Sequence, residues 1–253
     1  MFSAVRDHVI GRIAATPVSR DPFEHLYVEE VFPADFYAEL QRQMIADRGY
    51  RRLNQTGRVS ERYSSQRLCL FPRDLATIDA PEPQRVFWRE LFAALRDGNL
   101  RRAVLRTFKA AVKLHAESTL RENAFGAMVY SEVFLMRDLE TYALGPHTDS
   151  PQKLVSMLFY LAPDESAPEL GTSLYRPKDR HFSCPGGPHH SFPDFERVAT
   201  LPYRPNTMLA FPKSRVCFHG VEPVASAKRR DLLLFDVKIS TKRAAVPAAA
   251  AGA

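Results

Sequence analysis

The spacing of apolar residues changes character near residue 125. Before that point apolar residues recur every three or four positions, which is the period of a helix with one buried face. After it, short runs rich in Val, Leu, Phe and Tyr are separated by Gly, Pro, Asn and Asp, which is typical of strands joined by turns. This order predicts an α+β chain with a mainly β core and a helical N-terminal extension.

The same patterns predict individual elements. The helices expected after a short amphipathic helix at the N-terminus span 33–46, 83–95 and 100–115. The strands expected in the second half span 127–136, 154–161, 207–211, 216–219 and 231–239. Many short strands of this kind favour a β-sandwich or barrel.

A stretch at 178–195 is rich in Pro, Gly and His and predicts a long loop. Loops of this length often act as lids or contact substrates, although a plain surface loop is the commoner case. Its histidines, His181, His189 and His190, lack the regular spacing that a second metal site would require.

The composition is that of an ordinary globular protein, with 253 residues, 45% hydrophobic and 25% charged. The sequence contains no apolar run of about 18 residues and no continuous apolar block at its N-terminus, so we expect neither a membrane span nor a secretory signal. Cys69, Cys184 and Cys217 are odd in number and widely spaced, which disfavours structural zinc. A cytoplasmic, reducing location is the expectation.

The formal charge of +6 permits an anionic partner such as nucleic acid. The basic residues are scattered, with pairs at 51–52, 101–102 and 229–230, and they form no dense block. This favours a solvated basic surface over a nucleic-acid site. The amphipathic N-terminal helices could form a homodimer face, but covering the β core is their commoner use.

The first candidate site residues are His147 and Asp149, which follow the breaker Gly145–Pro146. In extended backbone, residues i and i+2 point to the same side, so this segment can present an imidazole and a carboxylate to one ion while Thr148 faces away. Alone the triplet is a weak signal, because a surface turn gives the same pattern.

His219 strengthens the signal, because it lies at the end of an apolar run 72 residues after His147. A hydrogen-bonded core histidine is the other explanation of that position. Two histidines and one carboxylate form the facial triad that leaves three positions open on ferrous iron. A 2-oxo acid can occupy two of these positions and dioxygen the third, whereas a structural zinc site would be closed by a fourth protein ligand.

A 2-oxo diacid also needs a cation for its far carboxylate. Arg229 follows His219 by ten residues, and Arg230 is beside it. A guanidinium can bind a carboxylate through two parallel charge-assisted hydrogen bonds, provided that it points into the β core. An exposed charge on an edge strand is the alternative for either residue.

Four segments resemble the Fe(II)/2-oxoglutarate-dependent oxygenase superfamily, most closely its prolyl-hydroxylase-like branch. They are HTD at 147–149, KLVSMLFYL at 153–161, NTMLAF at 206–211 and HGVEPVASAKRRDLLLF at 219–235. The resemblance implies a double-stranded β-helix, a jelly-roll barrel with helices on one outer face. On this basis we predict a mainly helical extension at 1–125, a catalytic β-helix core at 126–242 and a disordered Ala-rich tail at 243–253.

The resemblance implies site roles by position. His147, Asp149 and His219 would bind the iron. Arg229 would bind the distal carboxylate of 2-oxoglutarate, and Tyr160 would donate a second hydrogen bond to it, unless Tyr160 belongs to an aromatic core. Cys217 falls on the same side as His219 by alternation, so it either lines the cavity or is a small buried residue.

One departure concerns the position two places after Arg229, where many members have a small residue and this chain has Asp231. Either Asp231 is turned away by a neighbouring Arg, or the strand register shifts by one and Arg230 is the binder. The ten-residue spacing favours Arg229, with Arg230 as the alternative.

The resemblance implies a dioxygenase that uses Fe(II), 2-oxoglutarate and O2 to hydroxylate an aliphatic C–H bond of a small-molecule or amino-acid-like substrate, releasing succinate and CO2. Asp149 argues against halogenation, because halogenating relatives have a small residue there. A nucleic-acid or nucleotide oxidising or demethylating enzyme is one alternative. Those relatives usually carry a second Arg six places after the first, where this chain has Phe235, or Asp236 counted from Arg230. A non-catalytic jelly-roll binding module is the other.

Overall fold

The computed structural model describes residues 1–119, 127–223 and 228–240. The boundary predicted at 125/126 and the tail predicted at 243–253 lie outside these ranges. The helices within them are α1 Phe2–Ala15, α2 Ala34–Arg42, α3 Glu82–Arg96, α4 Asn99–Thr107 and α5 Lys109–Thr119. None of these helices combines the length and the apolar character that a bilayer span requires.

The helices agree with the periodicity except at one point. The predicted helix at 83–95 corresponds to α3, which carries Pro83 in its first turn, where a missing N–H costs nothing. The single helix predicted at 100–115 is wrong, because α4 ends at Thr107, its C-cap Phe108 has φ −103 and ψ 29, and α5 begins at Lys109. Val104 and Phe108 are both buried, so the apolar spacing continues across a break in the backbone.

The strands form two antiparallel sheets. They are β1 Leu26–Val28, β2 Arg51–Arg52, β3 Arg67–Leu70, β4 Met128–Asp138, β5 Leu144–His147, β6 Lys153–Tyr160, β7 Thr172–Pro177, β8 Phe195–Leu201, β9 Thr207–Pro212, β10 His219–Val221 and β11 Arg230–Ser240. The larger sheet has the order β1-β9-β6-β11-β4-β3-β2, and the smaller has the order β5-β10-β7-β8.

Three features of the sheets differ from the predicted elements. Strands β5, β7 and β8 of the smaller sheet were not predicted, although β8 has seven residues. The run at 216–219 is not a strand, since β10 begins only at its last residue. Three short strands of the first half, β1, β2 and β3, lie at the two edges of the larger sheet. They were not predicted because edge strands of two to four residues carry too little alternation to detect.

Strand β11 shows how the layers are arranged. Leu233, Phe235 and Val237 pack into the apolar core beneath the helices. Leu232, on the opposite face, belongs to the core between the two sheets. Because side chains alternate along a strand, the larger sheet has helices on one face and the smaller sheet on the other. The predicted α+β architecture, a jelly-roll of facing sheets with helices on one outer face, is confirmed.

Candidate metal centre

The pairing of two strands brings the predicted metal ligands together. His147 ends β5 and His219 begins β10, and the two residues are direct partners in the antiparallel ladder. Their ring centroids are 4.3 Å apart. Asp149 follows β5 by two residues, and one ligand atom from each of the three side chains lies within 4.8 Å of the others. This donor set fits a cation that also accepts exogenous ligands.

Backbone carbonyls orient both imidazoles. Nδ1 of His147 is 3.0 Å from the carbonyl oxygen of Gly145, and Nδ1 of His219 is 3.0 Å from that of Cys217. An Nδ1–H that donates to a carbonyl leaves the lone pair on Nε2 for the metal. Burial, together with the neighbouring imidazole, lowers the pKa of His147, and burial lowers that of His219, which favours the neutral imidazole that a metal ion would require.

Asp149 is held in place by two donors. The Ser156 hydroxyl donates to one carboxylate oxygen at 2.6 Å, and the Lys153 ammonium is 3.0 Å from the other. Burial alone would raise the pKa of Asp149, but the charge of Lys153 and the polar neighbours hold it well below its usual range. Lys153 is also 3.0 Å from Asp236, so it bridges two carboxylates.

A cavity between the sheets, which we call the inner cavity, joins the metal ligands to a buried arginine. It is lined by Arg67, Leu144, His147, Asp149, Lys153, Ser156, Leu158, Thr172, Phe211, His219, Gly220, Val221, Arg230, Leu234 and Asp236. Arg230 is fully buried here, whereas the side chain of Arg229 is 55% exposed and contacts Asp47 and Asp231 outside the cavity.

Of the two candidates that the sequence offered, Arg230 rather than the preferred Arg229 therefore lines the inner cavity. The register differs by one residue from the one that the ten-residue spacing suggested, and Asp231 lies on the opposite face of β11 from Arg230. There the Asp231 carboxylate is 2.5 Å from Nε of the buried Arg137. Because Asp231 is paired with Arg137 on that face, its carboxylate does not face the cavity in which the carboxylate of 2-oxoglutarate would lie.

Arg230 belongs to a buried group of charges that we call the Asp138 cluster, made of Arg67, Asp138 and Arg230. The Asp138 carboxylate is 2.6 Å from Arg67 and 2.9 Å from Arg230. Arg230 also donates to the Thr172 hydroxyl at 2.8 Å, while its Nε has no hydrogen-bond partner among the described residues. Two guanidiniums share one carboxylate, so the cluster carries one excess positive charge where solvation is poor.

Tyr160 belongs to the core between the two sheets and does not line the inner cavity. Its hydroxyl accepts a hydrogen bond from the Thr172 backbone N–H at 3.1 Å, and the Arg230 guanidinium lies 5.4 Å from its ring centroid. Tyr160 therefore contacts both Thr172 and Arg230 and helps to fix their positions. Cys217 is fully buried in the same core, which matches the small buried residue rather than a cavity lining.

The loop at 178–195 packs against the segment 146–149, which carries two of the candidate metal ligands. Thr148 donates to the Cys184 carbonyl at 3.0 Å, and the His190 N–H donates to the Pro146 carbonyl at 2.8 Å. His189 stacks edge-on against His147 at 4.8 Å. Among the described residues the only group with metal-binding spacing is the triad, so the loop histidines form no second metal site there.

Sequence reasoning missed the groups that support the triad. Lys153 and Ser156 follow Asp149 by four and seven residues, and alternation back from Tyr160 could have placed Ser156 on the inner face. Arg67 and Asp138 gave no local signal, because they meet only through the pairing of β3 with β4.

No family model and no curated protein matches this sequence. Among solved structures, a prolyl-4-hydroxylase from Pseudomonas putida aligns over 92% of this chain and 99% of its own, with 16% identity and a TM-score of 0.50. A Trichoplax adhaerens prolyl hydroxylase in complex with a hypoxia inducible factor peptide fragment aligns over 94% and 90%, with 11% identity and a TM-score of 0.49. HygX from Streptomyces hygroscopicus with iron bound aligns over 85% and 81%, with 16% identity and a TM-score of 0.44. The first alignment shows that this chain has the prolyl-hydroxylase fold, as the sequence resemblance implied.

Proposed function

We propose that this chain is an Fe(II)- and 2-oxoglutarate-dependent dioxygenase that hydroxylates an aliphatic C–H bond of a small-molecule or amino-acid-like substrate, with release of succinate and CO2. One observation carries the proposal: a single cavity contains a His-Asp-His triad at one side and a buried excess positive charge at the other. A 2-oxo diacid needs both, because its keto acid end chelates a metal and its far carboxylate needs a cation.

His147, Asp149 and His219 would hold the iron, which together with 2-oxoglutarate supplies the activation of dioxygen. Arg230 would bind the distal carboxylate, which neutralises the excess charge of the Asp138 cluster. We assign Thr172 and Tyr160 to positioning, since Thr172 accepts from the Arg230 guanidinium and Tyr160 lies against it.

The apolar side chains that line the inner cavity exclude water rather than bind the ligands. Leu158, Phe211 and Val221 line it, and the Phe211 ring lies 4.5 Å from that of His219. These side chains keep water away from the ligands and strengthen the electrostatic contacts inside. Counted from Arg230, the place of the second Arg of the demethylating relatives is Asp236, a carboxylate that lines the inner cavity and pairs with Lys153, so the structure offers no support for that alternative.

The test is anaerobic titration of the protein with Fe(II) and 2-oxoglutarate, followed by the visible charge-transfer band of the chelate. We expect His219→Ala to lose iron. We expect Arg230→Met to keep iron and lose the oxo acid by about 10-fold to 100-fold, since charge-assisted hydrogen bonds are worth about 1.5–3 kcal/mol. Arg229→Ala is the matched control and should bind both.

The proposal fails if the wild-type protein gives no chelate band, or if His219→Ala binds iron as tightly as the wild type. Loss of oxo-acid binding in Arg229→Ala with retention in Arg230→Met would return the assignment to Arg229.

A further inference from the structure

A second, larger cavity opens beside the triad, and we call it the outer cavity. Its volume is about 420 Å³, within the usual range of small-molecule sites. Its apolar lining residues are Leu53, Val59, Phe134, Met136 and Leu234. Its charged lining residues are Arg58, Arg67, Lys153, Asp236 and Lys238, together with Asp149. A molecule in this cavity would lie next to His147 and Asp149, which also line it.

The charged side chains of the two cavities do not balance. The lining residues and the carboxylates paired with them comprise five cations, Arg58, Arg67, Lys153, Arg230 and Lys238, and four anions, Glu132, Asp138, Asp149 and Asp236. With neutral histidines, the described walls therefore carry one excess positive charge. Fe(II) and the 2-oxoglutarate dianion together add no net charge, so the excess persists after loading.

The position of this excess follows from local pairing. The distal carboxylate of 2-oxoglutarate would neutralise the Asp138 cluster. Lys153 lies between Asp149 and Asp236, and the metal with the keto acid carboxylate would compensate that group. What is left is the Glu132 cluster, made of Arg58, Glu132 and Lys238, in which two cations share one carboxylate.

The Glu132 cluster is well ordered for binding. Arg58 donates to both oxygens of Glu132, at 2.6 and 2.7 Å, and Lys238 donates at 2.5 Å. The Arg58 guanidinium stacks 4.7 Å from the ring centroid of Phe71 and 5.6 Å from that of Phe134. Burial raises the pKa of Glu132, but the hydrogen bonds from Arg58 and Lys238 outweigh it and lower that pKa to about 2, so this carboxylate is ionised at neutral pH.

The surroundings of the cluster are also basic. Arg58 and Glu132 line an adjoining cleft together with Arg96. Lys213, which donates to Thr148 from behind, adds positive charge although it lines neither cavity. An anion in the outer cavity would therefore meet a positive potential from several directions.

We propose that the substrate carries one carboxylate, which Arg58 and Lys238 bind at the outer cavity while Leu53, Val59 and Phe134 hold its aliphatic part. The inference rests on the proposed function, because it assumes a cavity loaded with Fe(II) and 2-oxoglutarate. One excess charge matches a carboxylate better than a phosphomonoester, which carries about two negative charges. The reacting carbon then lies between the carboxylate and the triad.

The test uses the protein loaded with Fe(II) and 2-oxoglutarate without oxygen, and a panel of N-acetylated aliphatic amino acids, each paired with its neutral amide. Binding is measured as the shift of the chelate charge-transfer band. We expect the acids to bind about 10-fold or more tightly than their amides. Arg58→Gln should abolish this preference, and Glu132→Gln should increase it, because that change removes the competing carboxylate.

Arg73→Gln is the matched control, because Arg73 also stacks on Phe71, at 5.3 Å, but does not line the outer cavity. It should leave the preference unchanged. A chelate band in every variant shows that each is folded and loaded. The inference is overturned if acids and amides bind alike, if no acid binds, if phosphomonoesters bind more tightly than the acids, or if Arg58→Gln keeps the preference. Absence of the band in the wild-type protein would instead contradict the proposed function.

Discussion

Single charged residues decide most of the site chemistry, and Glu132 illustrates this. Its carboxylate takes three hydrogen bonds from Arg58 and Lys238, and its pKa is lowered from 4.5 to about 2. A carboxyl whose pKa is lower in the folded state stabilises the fold above its unfolded pKa, and this stabilisation is lost as the pH falls toward the folded pKa. Glu132 should therefore stabilise the protein fully above about pH 5 and progressively less down to about pH 2.

We expect Glu132→Gln to lower the free energy of unfolding by an amount on the order of 2 kcal/mol at neutral pH. The difference from the wild-type protein should shrink between about pH 5 and pH 2, because protonation removes the same interaction there. Urea unfolding of both proteins at a series of pH values measures this difference in the free energy of unfolding. A difference that stays constant with pH would contradict the role of the charge.

The residues of the triad were accessible to sequence reasoning because each gives a local signal. His147 and Asp149 have the spacing of one face of a strand, and His219 lies near a strand predicted from its apolar run. The choice between Arg229 and Arg230 was not accessible. It depends on where β11 begins in the larger sheet, whereas His219 lies in the smaller sheet, so the spacing between the two residues in the chain does not fix the face on which either Arg lies. A one-residue slip exchanges the inner and outer faces of a strand.

At the scale of elements, the loop at 178–195 depends on glycines where it meets the metal-binding segment. Gly186 has φ +130, and a Cβ there would lie 2.3 Å from the Asp149 carbonyl oxygen. Gly187 has a similar φ of +120, but a Cβ there would meet nothing within 4 Å. The two positions therefore share backbone strain and differ in packing against the site.

We expect Gly186→Ala to weaken Fe(II) binding, because the added methyl group must displace either the loop or the backbone of Asp149. Gly187→Ala should bind iron normally. Its free energy of unfolding should fall by about 1–3 kcal/mol, because alanine is strained at this backbone conformation, and the same strain is expected in Gly186→Ala. Iron titration and thermal unfolding of both variants separate the effects. Equal iron affinity in the two variants would show that the loop does not position Asp149.

The helix α3 and the strands β4, β6 and β11 were predictable from the sequence, whereas the edge strands β1 and β2 were not. Apolar periodicity over ten or more residues predicted α3, and a continuous apolar run predicted β6 and β11. β2 spans only Arg51–Arg52 and is exposed, so its residues contain no pattern. It forms because β3 offers it a partner, which is a property of the sheet rather than of the segment.

For the molecule as a whole, β11 lies between the apolar core beneath the helices on one face and the two cavities of the candidate site on the other. Leu233 is fully buried beneath the helices, and the next residue, Leu234, is partly buried and lines both cavities. Their side chains leave opposite faces of one strand. Stability and binding should therefore respond to different substitutions at neighbouring positions.

We expect Leu233→Ala to lower the free energy of unfolding by about 2–5 kcal/mol, the usual cost of a core Leu→Ala change, while the folded protein still forms the Fe(II) and 2-oxoglutarate chelate. Leu234→Ala should cost less stability but alter the chelate band or its affinity, since it widens the cavity. Chemical unfolding and anaerobic titration of the pair measure both quantities. If Leu233→Ala failed to form the chelate at denaturant concentrations where it is still folded, Leu233 and Leu234 would not have separate roles.

The pairing of His147 with His219 across two neighbouring strands gives a bound metal a mechanical consequence. The ion would cross-link two segments that are 72 residues apart in the chain, at the register pair His147–His219 of the smaller sheet. A ligand that binds only the folded state stabilises it by about 2.7 kcal/mol at 100 times its dissociation constant. Iron supply in the cell would then set not only how fast such a protein turns over its substrate but also how long each copy survives proteolysis.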